Sequence, residues 1–171
     1  MTPSPESLPR RSRLVALPEP VAAREAPRGV RRVIILDTDV LSALMRRQPD
    51  PVVAAWLDRQ PAVSIWTSSV TIFETRLGIA ILPEGRRRRD LEPSFEIALR
   101  KDIEGRVAPF DEAAAEAAAT IAAAQRAAGS PVETRDVEIA GVVMARRATL
   151  ATRNKRHFAG IGIPLIDPWS A

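Results

Sequence analysis

An α/β fold built on a parallel sheet covered on both faces is what this sequence predicts, and three observations carry it. Val33, Ile34, Ile35 and Leu36 run without a polar face, as strands do when both sides of a sheet are buried. Short apolar strands then alternate with helical stretches to the end of the chain. The 171 residues suffice for one domain with a real core.

Taken in order, residues 1–30 hold six of the fifteen prolines and no periodic apolar face. This predicts a flexible Pro/Arg-rich tail ahead of a folded unit at 31–171. The tail lacks the apolar run of a secretory signal. The strand at 33–36 leads into an apolar-periodic helix around Val40–Met45, with Asp39 as its expected N-cap. "DPVVAAWLDRQ" predicts a second helix, capped by Asp50 and with Pro51 in the first position. "AVSIWTSS" reads as a strand and "SVTIFETRLGIAIL" as a helix stopped by Pro83. "EGRRRRDLEPSFEIALRKDIEG" reads as helix, interrupted or kinked at Pro93. Its four consecutive arginines fan around the helix and form a solvated surface. "RVAPF" is a short strand, after which Asp111 caps an Ala-rich helix that ends at Gly129. A further helix is expected over "SPVETRDVEIAGVVMARRA", with Ser130 as cap and Pro131 just inside. "TLATRN" and "IPLID" supply the last strands.

Composition removes whole classes of chemistry. Cysteine is absent, so there is no disulfide framework and no thiolate; a reducing cytoplasm fits. His157 is the only histidine, which excludes a multi-His metal site. No stretch of about 18 apolar residues predicts a membrane span. The net charge is only +4 although the pI is about 10.8. With no Tyr or Cys and few Lys, little titrates below the arginine range, so the pI overstates affinity for nucleic acid. The five Arg and three Glu of residues 1–30 leave 20 basic against 18 acidic residues elsewhere, so nucleic-acid binding must come from local patches.

Two acids, Asp37 and Asp39, follow the first buried strand directly, where an unpaired charge is costly. In parallel sheets the carboxyl ends of the strands form the binding crevice. Val70, Leu77 and Ile81 make a stripe on one face of their helix, and Glu74 lies on that stripe. Asp136 lies in the same way on the stripe Val132, Ile139, Val143. Asp37, Glu74 and Asp136 are therefore expected to converge. A divalent metal would balance them, and oxygen ligands without His or Cys favour Mg²⁺ or Mn²⁺ over zinc.

These segments resemble PIN-domain ribonucleases, specifically the VapC-like toxins of bacterial type II toxin–antitoxin pairs, nearest the FitB-like branch. The resemblance is carried by "ILDTDVLSAL", "SSVTIFETRLGIAILPEGRRR", "TRDVEIAGVV" and "LATRNKRHFAGIGIPLIDPW", within about residues 32–170. It implies a PIN-like three-layer α/β/α sandwich with a central parallel sheet. It also implies Mg²⁺- or Mn²⁺-dependent endoribonuclease activity, a homodimer, and a cognate antitoxin that blocks the site. The first, second and third acids of the family carry over to Asp37, Glu74 and Asp136, and the hydroxyl after the first acid to Thr38. Asp37 and Asp136 are then the expected metal ligands, with Glu74 as ligand or water-orienting base. Arg76, Arg153 and Arg156 are candidates for contacting RNA phosphates. Asp39 stands where Asn is common. A fourth acid is commonly found where this chain has Asn154 or His157; Asn154 still offers a neutral oxygen. Two alternatives follow from these residues: a degenerate PIN domain that binds RNA or a partner without cleaving, and an aspartyl-phosphate phosphatase-like enzyme starting from "DTDVL" with Asp37 as nucleophile. Against the second, Leu41 stands where Thr or Val is usual and lysines are scarce.

Overall fold

The computed structural model describes residues 32–130 and 133–171; the tail expected at 1–30 lies outside the described residues. Five strands form one parallel sheet: β1 Ile34–Leu36, β2 Ile65–Ser68, β3 Val107–Ala108, β4 Thr149–Ala151 and β5 Leu165–Ile166. The spatial order β3-β2-β1-β4-β5 puts the first strand in the middle. Ile34 pairs with both Ile65 and Thr149, and Leu36 with both Thr67 and Ala151. This central place is why β1 has no polar face.

Among the described residues six α-helices cover the sheet: α1 Thr38–Leu44, α2 Pro51–Asp58, α3 Ser69–Ala80, α4 Arg86–Ile97, α5 Glu112–Ala127 and α6 Thr134–Ala145. Successive residues of β1 serve opposite faces, as the period of a strand requires. Ile35 packs with Leu150 into a core closed by Ile121 of α5 and Ile139 of α6. Ile34 and Leu36 pack into a second core with Leu41, Trp56 and Phe95 from α1, α2 and α4. The result is the expected three-layer α/β/α sandwich. Among the described residues no helix is long and apolar enough to cross a membrane.

The closest packing is between α5 and α6. A Cβ added at Gly141 would lie 2.4 Å from the Ala114 carbonyl oxygen and 2.8 Å from the Ala118 Cβ. Small residues on both helices thus allow backbone to approach backbone, which holds α6 at a fixed depth over the sheet. At the far end of the chain, Trp169 Nε1 donates to Asp50 Oδ2 at 3.0 Å, while Asp50 Oδ1 caps α2 through Val52 N–H.

Several local expectations need correction. The N-cap of α1 is Asp37, whose backbone is extended (φ −79°, ψ 170°), while Asp39 is already helical. The strand ends at Leu36 as expected, but the helix already begins at Thr38, ahead of Val40, so the first acid takes the cap position. In "AVSIWTSS" only Ile65–Ser68 is strand, and Ala62–Ser64 forms a 3₁₀ turn. Helix α4 is not interrupted at Pro93; it runs on to Ile97 and loosens into a π-helical turn, Ala98–Asp102. Helix α6 begins at Thr134 after Glu133, and Ser130 does not cap it. Pro131 and Val132 lie outside the described residues. The buried stripe of α3 is Thr71, Thr75 and Ile79 beside Val70, whereas Ile81 is 73 % exposed. Two threonines carry the buried face there, which an apolar stripe search passes over; Thr75 satisfies its hydroxyl on the Thr71 carbonyl at 2.9 Å.

Candidate active site

The carboxylates gather at the carboxyl end of β1 and β4. The ladder continues one step past the strands, with the Asp37 N–H donating to the Ala151 carbonyl at 3.0 Å. Asp37 and Thr152 are therefore neighbours across the sheet. Asp37 is 8 % exposed. Its Oδ1 accepts the Thr38 N–H at 2.8 Å and its Oδ2 accepts the Thr152 hydroxyl at 2.7 Å. Burial pushes the Asp37 carboxyl up to about 6, and repulsion from Asp39 and Glu74 adds to this; the Thr152 and Thr38 bonds only partly offset it.

Asp39, from the next turn of backbone, reaches the same place. Its Oδ2 accepts the Arg153 N–H at 2.8 Å, which ties α1 to the loop after β4. Its Oδ1 is buried and has no hydrogen-bond partner among the described residues. Burial raises the Asp39 carboxyl above its ordinary range. Glu74 comes in from the middle of α3, where its Oε2 accepts the Thr38 hydroxyl at 2.5 Å and its Oε1 lies 4.0 Å from Arg135. Asp136 sits in the first turn of α6, with Oδ2 3.4 Å from His157 Nδ1. Burial raises Asp136 too; His157 counters this, while Glu133 and Glu74 add to it.

The structure thus brings Asp37, Glu74 and Asp136 to one crevice from three separate elements, with Thr38 bridging the first two. The other sequence candidates separate. Arg76 turns to α4, where it pairs with Glu96 at 2.8 Å and stacks on Phe95. Arg153 is exposed, its guanidinium 5.2 Å from the Trp169 ring centroid. Arg156 is exposed on the 3₁₀ turn Lys155–Phe158. Asn154 is exposed and opens that turn; its backbone N–H donates to the Thr152 hydroxyl at 3.1 Å. Two participants were not singled out from sequence. Thr152 had a readable signal: it follows "TLA", a buried strand in register with the one that precedes Asp37. Arg135 had none, because its approach to Glu74 and to the Phe73 ring depends on how α6 crosses α3.

The donor set fits a hard divalent cation: clustered carboxylates, raised by burial and mutual repulsion, and one buried carboxylate oxygen without a partner. Among the described residues, however, no three acidic or histidine side chains stand ready as a metal cage. Thr38, Thr152 and His157 engage the carboxylates in internal contacts instead. A hollow of about 860 Å³ runs along α5 and α6 beside Phe110 and Val137, and no carboxylate of the cluster lines it.

An α/β/α sandwich with a parallel sheet of this order and a carboxylate cluster at the end of its central strand is the arrangement of a PIN-type domain. The chain belongs to the PIN domain family, whose model matches residues 34–163. It is 39 % identical over 139 residues to the plasmid stability protein StbB of Pseudomonas syringae pv. tomato, covering 81 % of this chain and 100 % of that one. It is 34 % identical to the VapC ribonuclease Y4jK of Sinorhizobium fredii, covering 80 % and 98 %. Toxin FitB of Neisseria gonorrhoeae is 33 % identical, covering 80 % and 99 %. Among solved structures, FitAB bound to a DNA fragment matches with a TM-score of 0.70 at 33 % identity, over 80 % of this chain and 96 % of that one.

Proposed function

We propose that this chain is the toxin of a toxin–antitoxin pair and cleaves RNA phosphodiester bonds at the crevice of Asp37, Glu74 and Asp136, with Mg²⁺ or Mn²⁺. The observation that carries the reading is the convergence of these three carboxylates from β1, α3 and α6 at the carboxyl end of a parallel sheet. Asp37 and Asp136 would hold the cation, with Glu74 and Asn154 as further oxygen donors. A cation there would lower the pKa of a bound water and stabilise charge on the phosphoryl oxygens. Glu74, released from the Thr38 hydroxyl, orients the attacking water. Thr38 is then free to donate to a phosphate oxygen. Arg153 and Arg156, both exposed beside the crevice, contact the RNA backbone. Arg135 sits nearer Glu74 than either and joins them. Arg76 can follow, since an exposed pair such as Arg76–Glu96 is weak enough to exchange for a phosphate.

An antitoxin partner is supported by the relatives crystallised as complexes, FitAB at 33 % identity among them. A homodimer is inherited from the same resemblance. The test is degradation of RNA with Mg²⁺ or Mn²⁺ by wild type and by Asp136→Asn. Loss of cleavage in the variant, at least 100-fold as expected for removal of a group that positions the reacting water and metal, supports the reading. Equal rates would sink it.

A second reading, binding of RNA or a partner without cleavage, draws on one observation: Asn154 and His157 occupy the places where a fourth acid is common. Calorimetric titration with Mg²⁺ and Mn²⁺ separates the two, with Asp37→Asn as control. Tight RNA binding with no metal uptake favours the second reading.

A further inference from the structure

We infer that His157 contributes its imidazole nitrogen to the divalent cation at Asp136, and so turns the site from Mg²⁺ towards Mn²⁺ and the later transition metals. This rests on the reading of the crevice as a metal centre. His157 is the only imidazole in the chain, and there is no cysteine. Any imidazole donor at this site must therefore be His157. The 3₁₀ turn that carries it is anchored by its neighbour Phe158, 2 % exposed, and by the His157 N–H, which donates to the Asn154 carbonyl at 2.9 Å. The close packing of Gly141 against Ala114 fixes the helix that carries Asp136 on the other side. The two side chains meet with Nδ1 and Oδ2 3.4 Å apart.

That spacing suits a shared ion. Adjacent ligands of an octahedral cation with bonds of about 2.1 Å lie roughly 3 Å apart. The 3.4 Å between His157 Nδ1 and Asp136 Oδ2 is close to that separation. Its side chain is 42 % exposed, so as a bare ion pair with Asp136 it would be screened and contribute little. As a ligand it has a larger effect, because imidazole suits transition metals while Mg²⁺ prefers oxygen. A carboxylate in this place would favour Mg²⁺; the imidazole reverses the preference.

The experiment uses the full chain, stripped of metal and then loaded with Mn²⁺ alone at neutral pH. Electron spin-echo spectroscopy reads nitrogen coupling to the bound Mn²⁺. Titration calorimetry with Mn²⁺ and with Mg²⁺ gives the ratio of affinities for wild type, His157→Gln and His157→Asp. Nitrogen coupling is expected in wild type and lost in His157→Gln. The Mn²⁺ to Mg²⁺ affinity ratio should fall roughly tenfold in His157→Gln, the low end of what loss of a supporting group costs a metal site. His157→Asp should bind Mg²⁺ more tightly than wild type does. Mn²⁺ that binds without nitrogen coupling, or a ratio unchanged in His157→Gln, overturns the inference and leaves the metal centre standing. Failure of wild type to bind either cation overturns both.

Discussion

Asp37 shows how one residue couples stability to pH. Its carboxyl ordinarily titrates at 3.8 and is pushed up to about 6 in the fold. The folded state therefore holds the proton more tightly than the unfolded chain. The stabilisation from the protonated acid is complete below the unfolded value and is lost as pH rises through about 6, amounting to about 3 kcal/mol. Asp37→Asn stays neutral throughout, and the Thr152 hydroxyl can turn to accept from its amide. In chelator and above about pH 7, this variant should unfold at higher denaturant than wild type, with the gap closing below about pH 4. A wild type that is the more stable protein at neutral pH would show that the buried charge is already balanced. Thr152→Val makes the complementary case. It strips Asp37 Oδ2 of its donor at 2.7 Å and should cost about 1–3 kcal/mol. Denaturation with no change in midpoint would mean that solvent replaces the hydroxyl. At this scale the sequence was informative about where Asp37 lies, because a carboxylate after "VIIL" contradicts its own surroundings. It was silent about how they are satisfied: Asp39 holding the Arg153 N–H depends on a contact across 114 positions, which no local rule contains.

At the scale of elements, the α5–α6 contact sets the position of Asp136. Gly141→Ala would drive a methyl group against the Ala114 carbonyl, and backbone cannot yield as a flexible side chain does. A loss of about 1–3 kcal/mol is expected from urea unfolding, together with weaker divalent-metal binding as α6 is pushed away. Unchanged stability would mean that the two helices slide apart freely. The same scale shows where periodicity misleads. Helix α3 buries Thr71 and Thr75, so the apolar pattern indicated a stripe rotated from the true one, and Glu74 lies at its margin rather than within it. Helices α2 and α5 were legible because each begins with an Asp that caps it: Asp50 through Val52 N–H and Asp111 through Ala114 N–H. Helix α6 has no side-chain cap, and its start was misplaced for that reason.

For the whole molecule, the sum of clustered acids predicts a metal-dependent melting temperature. A cation at 100 times its Kd stabilises the fold by about 2.7 kcal/mol, which for a domain of this size raises Tm by roughly 5–10 °C. Mg²⁺ or Mn²⁺ should produce this rise, EDTA should reverse it, and both effects should fade below about pH 6 as Asp37 takes up its proton. A Tm indifferent to either cation would leave the acids without their proposed counter-charge. The layered architecture itself was legible from the alternation of short buried strands and helices. The order of the strands was not, since no pattern within β1 or β4 says that they lie side by side.

That central pairing has a consequence for synthesis. The bond between Asp37 and Thr152 spans 115 positions, and β4 closes the edge of β1 only after most of the chain exists. A ribosome must therefore release nearly the whole domain before the first acid gains its neighbours. Until then the nascent chain carries its acids apart from one another, and they are brought together only once the last strands have emerged.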